Sequence, residues 1–196
     1  MGNLDILETE LLSLGVTLPE NTKRSLCAYL DELDRWNRSL NLTSLDGRAR
    51  ARHLVAEPLW VARELSVAGQ CLDIGSGNGS PGIPWHIGRS LAGTVLIEAR
   101  QRRATFLRRL TKSLNLSGVT VERGRFEDIS GSLDSPDWVT LQGLNLRAGL
   151  YEKISSLSKR GTRLVWITSK QDCPIIPYVR LQIPNSDRFA SVFRLA

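Results

Sequence analysis

The residues best placed to do chemistry lie in one stretch, Leu72-Asp73-Ile74-Gly75-Ser76-Gly77-Asn78-Gly79-Ser80-Pro81-Gly82-Ile83-Pro84. The apolar run Cys71 to Ile74 predicts a buried parallel strand. It breaks into four glycines within eight residues, and Pro81-Gly82 lead into a helix, where an early proline is tolerated. Strand, glycine turn and helix make the first half of a nucleotide-binding βαβ unit. Glycines there allow positive φ and let backbone approach a ligand that a Cβ would exclude. Gly77, Gly79 and Gly82 also match the dinucleotide pattern G-x-G-x-x-G, a match that a ligand-free turn produces as well.

Two acids narrow the ligand. Asp73 stands two residues before the first glycine, and the next predicted strand, Thr94 to Glu98, ends in a carboxylate that can accept hydrogen bonds from two ribose hydroxyls. Asp73 with Gly75-x-Gly77-x-Gly79 is the arrangement of S-adenosylmethionine (SAM) methyltransferases. SAM carries no phosphate, only a sulfonium and an ammonium beside its carboxylate, and an acid beside the turn suits it better than a pyrophosphate. A nicotinamide-dependent oxidoreductase is the competing reading and rests on the glycine spacing alone.

The elements that must hold these residues follow from periodicity. Leu4, Leu7, Leu11 and Leu14 repeat at helical spacing up to Gly15. Pro19 opens a second helix with the stripe Leu26, Leu30, Leu33, Trp36 and Leu40. A third runs from about Arg48, kinked or restarted at Pro58. From Cys71 onward strands and helices alternate, which predicts a parallel sheet. Its strands are 71–74, 94–98, 119–122, 138–141 and 163–168, with helices over about 82–91, 100–115 and 145–158. Tyr178 to Ile183 and Arg188 to Leu195 alternate around Pro184-Asn185-Ser186-Asp187 and predict an antiparallel hairpin. The expected fold is α/β and Rossmann-like: a seven-stranded, mostly parallel sheet with a C-terminal hairpin. Residues 1–66 form a helical cap and 67–196 the ligand-binding domain, together one unit.

Composition excludes several classes. Three scattered cysteines and two histidines support neither a disulfide framework nor a zinc or other metal site. No window approaches ~20 consecutive apolar residues, so no membrane helix is expected. The acidic N-terminus is unlike a secretory signal, and the expected compartment is the cytoplasm. The net charge of +6 is unevenly spread: residues 100–125 hold eight cations against Glu122 alone, and residues 35–63 hold six arginines. Such runs serve either as a solvated helix face or as a nucleic-acid contact.

With these residues in view, the chain resembles the RsmG (GidB) family, SAM-dependent methyltransferases of small-subunit (16S) ribosomal RNA that act on N7 of one guanine. The resemblance rests on Trp36-Asn37 through Asn41-Leu42-Thr43, Asp73 to Pro84, Arg102-Arg103-Ala104-x-Phe106-Leu107-Arg108, and Gly124-Arg125-Phe126-Glu127. It implies cofactor contacts at Gly75, Ser80, Phe126 and Glu127, with Glu98 at the ribose; Asp73, Gly77, Gly79 and Gln142 complete the expected SAM site. It implies ribosomal RNA or the small subunit as partner; a monomer is expected, and the basic runs are expected to hold RNA phosphates through Arg35, Arg48, Arg102 and Arg103. Guanine N7 has an in-plane lone pair and no proton to lose, so no catalytic base is expected. Three positions depart from the family pattern. Leu141-Gln142-Gly143 stands where it has Ser-Arg-Ala, Thr168-Ser169 where it has Lys-Gly, and in His53-Leu-Val-Ala-Glu57 the acid is displaced by one residue. These departures motivate an alternative, a SAM-binding paralogue with reduced or altered catalysis.

Overall fold

Apolar spacing of three and four residues builds the first layer. A computed structural model describes residues 2–170, 173 and 175–195. In α1 (Asn3–Ser13) and α2 (Glu20–Leu40), Leu7, Leu11, Leu26, Leu30 and Leu33 are buried on facing sides. After α3 (Gly47–Ala51) the chain passes through a π-helical turn, Arg52–Ala56, into α4 (Glu57–Glu64). The expected kink at Pro58 is therefore a widened turn just before the proline. Pro58 has no N–H to give to His53 or Leu54, and both carbonyls are left for partners outside the helix.

The sheet contains β1 (Gln70–Ile74), β2 (Gly93–Glu98), β3 (Val119–Arg123), β4 (Trp138–Gln142), β5 (Arg163–Thr168), β6 (Val179–Gln182) and β7 (Phe189–Arg194). Its order is β3-β2-β1-β4-β5-β7-β6; β1 to β5 are parallel, and β7 runs antiparallel between β5 and β6. Helices α5 (Gly82–Arg89), α6 (Gln101–Ser113), α7 (Phe126–Ile129) and α8 (Ala148–Leu157) follow β1 to β4 in turn. Two apolar clusters sandwich the sheet. One joins Leu30, Leu33, Val55 and Leu59 of the N-terminal helices to Trp85 and Phe106. The other packs Ile74, Leu141 and Trp166 against Ile154 of α8. The chain turns outward from β1 to β3, then returns beside β1 as β4. That reversal opens a crevice at the carboxyl ends of the strands, where ligands bind in such sheets. No helix among the described residues is long and apolar enough to cross a membrane.

Candidate active site

A cavity of about 930 Å³ fills that crevice, within the range of small-molecule sites. Gly75, Gly77, Glu98, Phe126, Glu127 and Gln142 line it from the sheet side, and Leu42, His53, Leu54 and Ser80 from the cap side. The glycine turn follows β1 with φ of +74° at Gly75, +50° at Gly77 and +99° at Gly79. A Cβ on Gly75 would collide with Leu144, and one on Gly79 would lie 2.7 Å from Ile83 Cδ1.

The turn spends its own donors internally. The N–H groups of Gly75 and Ser76 both donate to Ile97 O (2.8 and 2.9 Å). That of Gly77 donates to Glu98 Oε2 (3.0 Å), and Glu98 Oε1 accepts from Arg100 N–H (2.7 Å). Glu98 is thus fixed at the cavity wall, and each oxygen keeps a lone pair for a ligand hydroxyl. The start of α5 is equally occupied. Ile83 and Trp85 N–H donate to Gly79 O and Pro81 O, Pro81 and Pro84 have no N–H, and Gly82 packs on the Asp73 carboxyl. No amide array remains for a pyrophosphate, which is what the dinucleotide reading requires.

Two expected ligand contacts do not lie on the cavity wall. Asp73 is 1% exposed, with Oδ1 accepting from Thr140 Oγ1 (2.8 Å) and Oδ2 against Gly82. Ser76 Oγ donates to its main-chain oxygen (2.8 Å). Asp73 ties β1 to β4 and to α5, and burial pushes its pKa up to about 6 against the lowering effect of Thr140. Gly79 faces Ile83 of α5, so its task is helix packing. The cap grips the remainder of the turn. Ser80 Oγ donates to Leu54 O (2.8 Å), one of the two carbonyls freed by Pro58, and the buried Tyr29 hydroxyl donates to Asn78 O (3.2 Å).

The other freed carbonyl, His53 O, accepts from Gln142 Nε2 (3.2 Å) and Arg188 Nη1 (3.2 Å). Gln142 Oε1 is buried with no partner among the described residues. His53 Nδ1 is 3.0 Å from Oε2 of the fully buried Glu57, which also holds Arg188 (2.9 Å) and Arg52 (3.3 Å). Burial opposes ionisation of Glu57, but His53 and Arg188 hold its pKa below the ordinary carboxylate value. A π turn accommodates one extra residue, so the displaced acid still meets its histidine.

The four arginines expected on RNA each have a partner within the protein. Arg35 pairs with Glu32 (3.1 Å) and Arg48 with the buried Glu10 (2.6 Å). Arg102 and Arg103 donate to Ser39 O and Asn41 O (both 3.3 Å), binding α6 to the end of α2. Of these four, only Arg103 lines the cavity. Three arginines outside that expectation line it instead: Arg100, Arg125 and Arg147, whose side chains have no partner among the described residues. Their signal was positional, since each lies just past a strand end. Lys170 donates to Asn145 and is not on the wall.

Comparison with known proteins gives the family and the fold. Residues 22–173 match the GidB family model, rRNA small subunit methyltransferase G. The chain is 34% identical over 131 residues to Ribosomal RNA small subunit methyltransferase G of Neisseria gonorrhoeae, covering 66% of this chain and 63% of that one. It is 35% identical over 126 residues to the protein of the same name from Cronobacter sakazakii, covering 63% and 60%. The matches thus span about three-fifths of the length of these relatives. The fold is similar to the putative methyltransferase yhhF from Escherichia coli (TM-score 0.58, 18% identity, 71% of this chain and 86% of that one). It is also similar to a mutant of MtNAS in complex with S-adenosylmethionine (TM-score 0.61, 16% identity, 86% and 72%). With its family model matched over residues 22–173, from α2 through the glycine turn and β5, the chain belongs to the GidB family, rRNA small subunit methyltransferase G.

Proposed function

We propose that this protein binds SAM in the cavity and transfers its methyl group to N7 of a guanine in small-subunit ribosomal RNA. The observation that carries the reading is Glu98 at the wall beside a glycine turn whose amides are already bonded. That pairing suits a ligand with a ribose diol and no phosphate. SAM fits further in that Gly75 and Gly77 leave a surface without Cβ atoms and Phe126 offers an apolar wall for an adenine. When bound, SAM supplies an electrophilic methyl on a sulfonium. The chain's own part is positional: Glu98 orients the ribose, the turn fixes the methionine end, and the bond from Gln142 to His53 O closes the wall where β4 meets the cap. Aligning nucleophile and methyl carries most of the rate. Guanine N7 surrenders no proton, so the reading needs no general base.

Transfer of tritium from SAM to small subunits and to naked RNA tests this. Label in guanosine supports it; SAM binding without transfer to either refutes it. Gln142 favours a second reading, SAM binding with reduced catalysis, because a neutral amide replaces the arginine the family pattern carries. Arg147, free on the same wall, argues for compensation. Under compensation Gln142→Arg lowers activity, since the new charge meets Arg188 across His53 O. Under drift it raises activity.

A further inference from the structure

Five arginines line the cavity, and two are engaged: Arg188 with Glu57 and His53 O, and Arg103 with Asn41 O. The other three share an unusual position. Arg100 is the N-cap of α6, Arg125 of α7 and Arg147 of α8, each in extended backbone with no side-chain capping bond. An arginine there works against its helix. It cannot accept from the first-turn amides as Ser, Asp or Asn does, and its charge faces the positive end of the helix dipole. The chain makes this unfavourable choice after β2, β3 and β4 in succession, always at the sheet edge that opens on the cavity. All three side chains are exposed, and none lies within ion-pair distance of Glu127 or Asp187, the exposed-side acids of the wall.

We infer that Arg100, Arg125 and Arg147 form a phosphate cradle around the cavity mouth that holds the RNA backbone on either side of the nucleotide entering the site. The inference rests on the reading of the cavity as an RNA-methylating site and names the residues that bring RNA to it. Three cations on three separate loops line one cavity, and a chain of phosphates flanking an inserted base calls for more than one such contact. Among the exposed α6 cations, Arg102, which was expected to do this, is tied to the Ser39 carbonyl, and Arg108 is tied to that of Val121. They therefore serve packing of α6 before they serve a ligand.

The test replaces the three arginines together by serine and measures binding of a single-stranded ribo-oligonucleotide from the small-subunit RNA across a salt series. Each lost phosphate contact lowers the log–log salt slope by about 0.7, so the triple variant is expected to lose about two. Affinity for SAM is read by isothermal titration in the double variant Arg100→Ser with Arg125→Ser, which keeps Arg147 beside Gln142, and should be unchanged. Because serine caps where arginine does not, the melting temperature should rise by about 2–4 °C for each helix that gains a cap. A control variant, Lys112, Lys153 and Arg160 to Ala, removes equal charge away from the cavity and should leave the slope near that of the parent. An unaltered slope in the serine variant, an equal loss in the control, or a fall in melting temperature overturns the cradle. Methyl transfer is scored separately. Slope loss in a protein whose parent transfers no methyl group upholds the cradle and refutes the activity.

Discussion

Replacing Asp73 by Asn separates a residue that holds the turn from one that holds the ligand. Asp73 is 1% exposed, and its pKa is raised to about 6 by burial. An unfolded aspartate titrates near 3.9. A carboxyl whose folded pKa is raised contributes stability that is present below about pH 4 and is lost as pH rises through about 6. The gap corresponds to about 3 kcal/mol. Relative to Asp73→Asn, the parent should therefore lose about 2 of those 3 kcal/mol between pH 4 and pH 6.5. Urea unfolding of both proteins across that range reads the difference directly. Thr140 Oγ1 and Gly82 still face the substituted side chain, so the variant should fold and bind SAM with little change. A stability difference that stays flat with pH would show that Asp73 does not titrate in this environment. A large loss of SAM affinity in a folded Asp73→Asn variant would return it to the list of ligand contacts.

Other substitutions probe the wall itself. Gly75→Val sets a β-branched residue at φ +74° with its Cβ in Leu144, so SAM binding should vanish while circular dichroism stays near that of the parent. Glu98→Ala should weaken SAM by about 1–3 kcal/mol and also loosen the turn, because the Gly77 and Arg100 amides lose their acceptor. An unchanged dissociation constant in Glu98→Ala would remove the carboxylate from the ribose. Tyr29→Phe deletes the bond to Asn78 O and should lower stability by about 1 kcal/mol, measured in urea.

Much of this fold was legible in the chain because the signals are local. Buried parallel strands read as short apolar runs, and the hairpin read as alternation around Pro184 to Asp187. The insertion of β7 between β5 and β6 was not legible, since pairing across the sheet depends on which edge remains open when the hairpin arrives. The glycine turn was legible because its backbone requires positive φ, and Glu98 because a strand-end acid faces the crevice. Asp73 lies off the cavity wall for a related reason. It sits one residue inside β1, and its side chain meets Thr140 and Gly82 instead of the cavity. Charge density along the sequence pointed to Arg102 and Arg103, but density does not reveal partners. Their acceptors, Ser39 and Asn41, lie more than sixty residues away in the chain. The π turn that reunites His53 with Glu57 was hidden as well, since a one-residue displacement looks like loss of a contact until the helix is seen to widen.

In the proposed reaction this cavity directs a methyl group onto N7 of a guanine in small-subunit RNA. The most direct measurement is to incubate unmodified small subunits with the protein and SAM, then map N7-methylguanosine by reduction, chain cleavage and primer extension. One strong stop at a single guanine, absent without SAM and absent with Gly75→Val, is the result predicted. Methyl transfer to a different atom or to no RNA at all, by protein that demonstrably binds SAM, would contradict it.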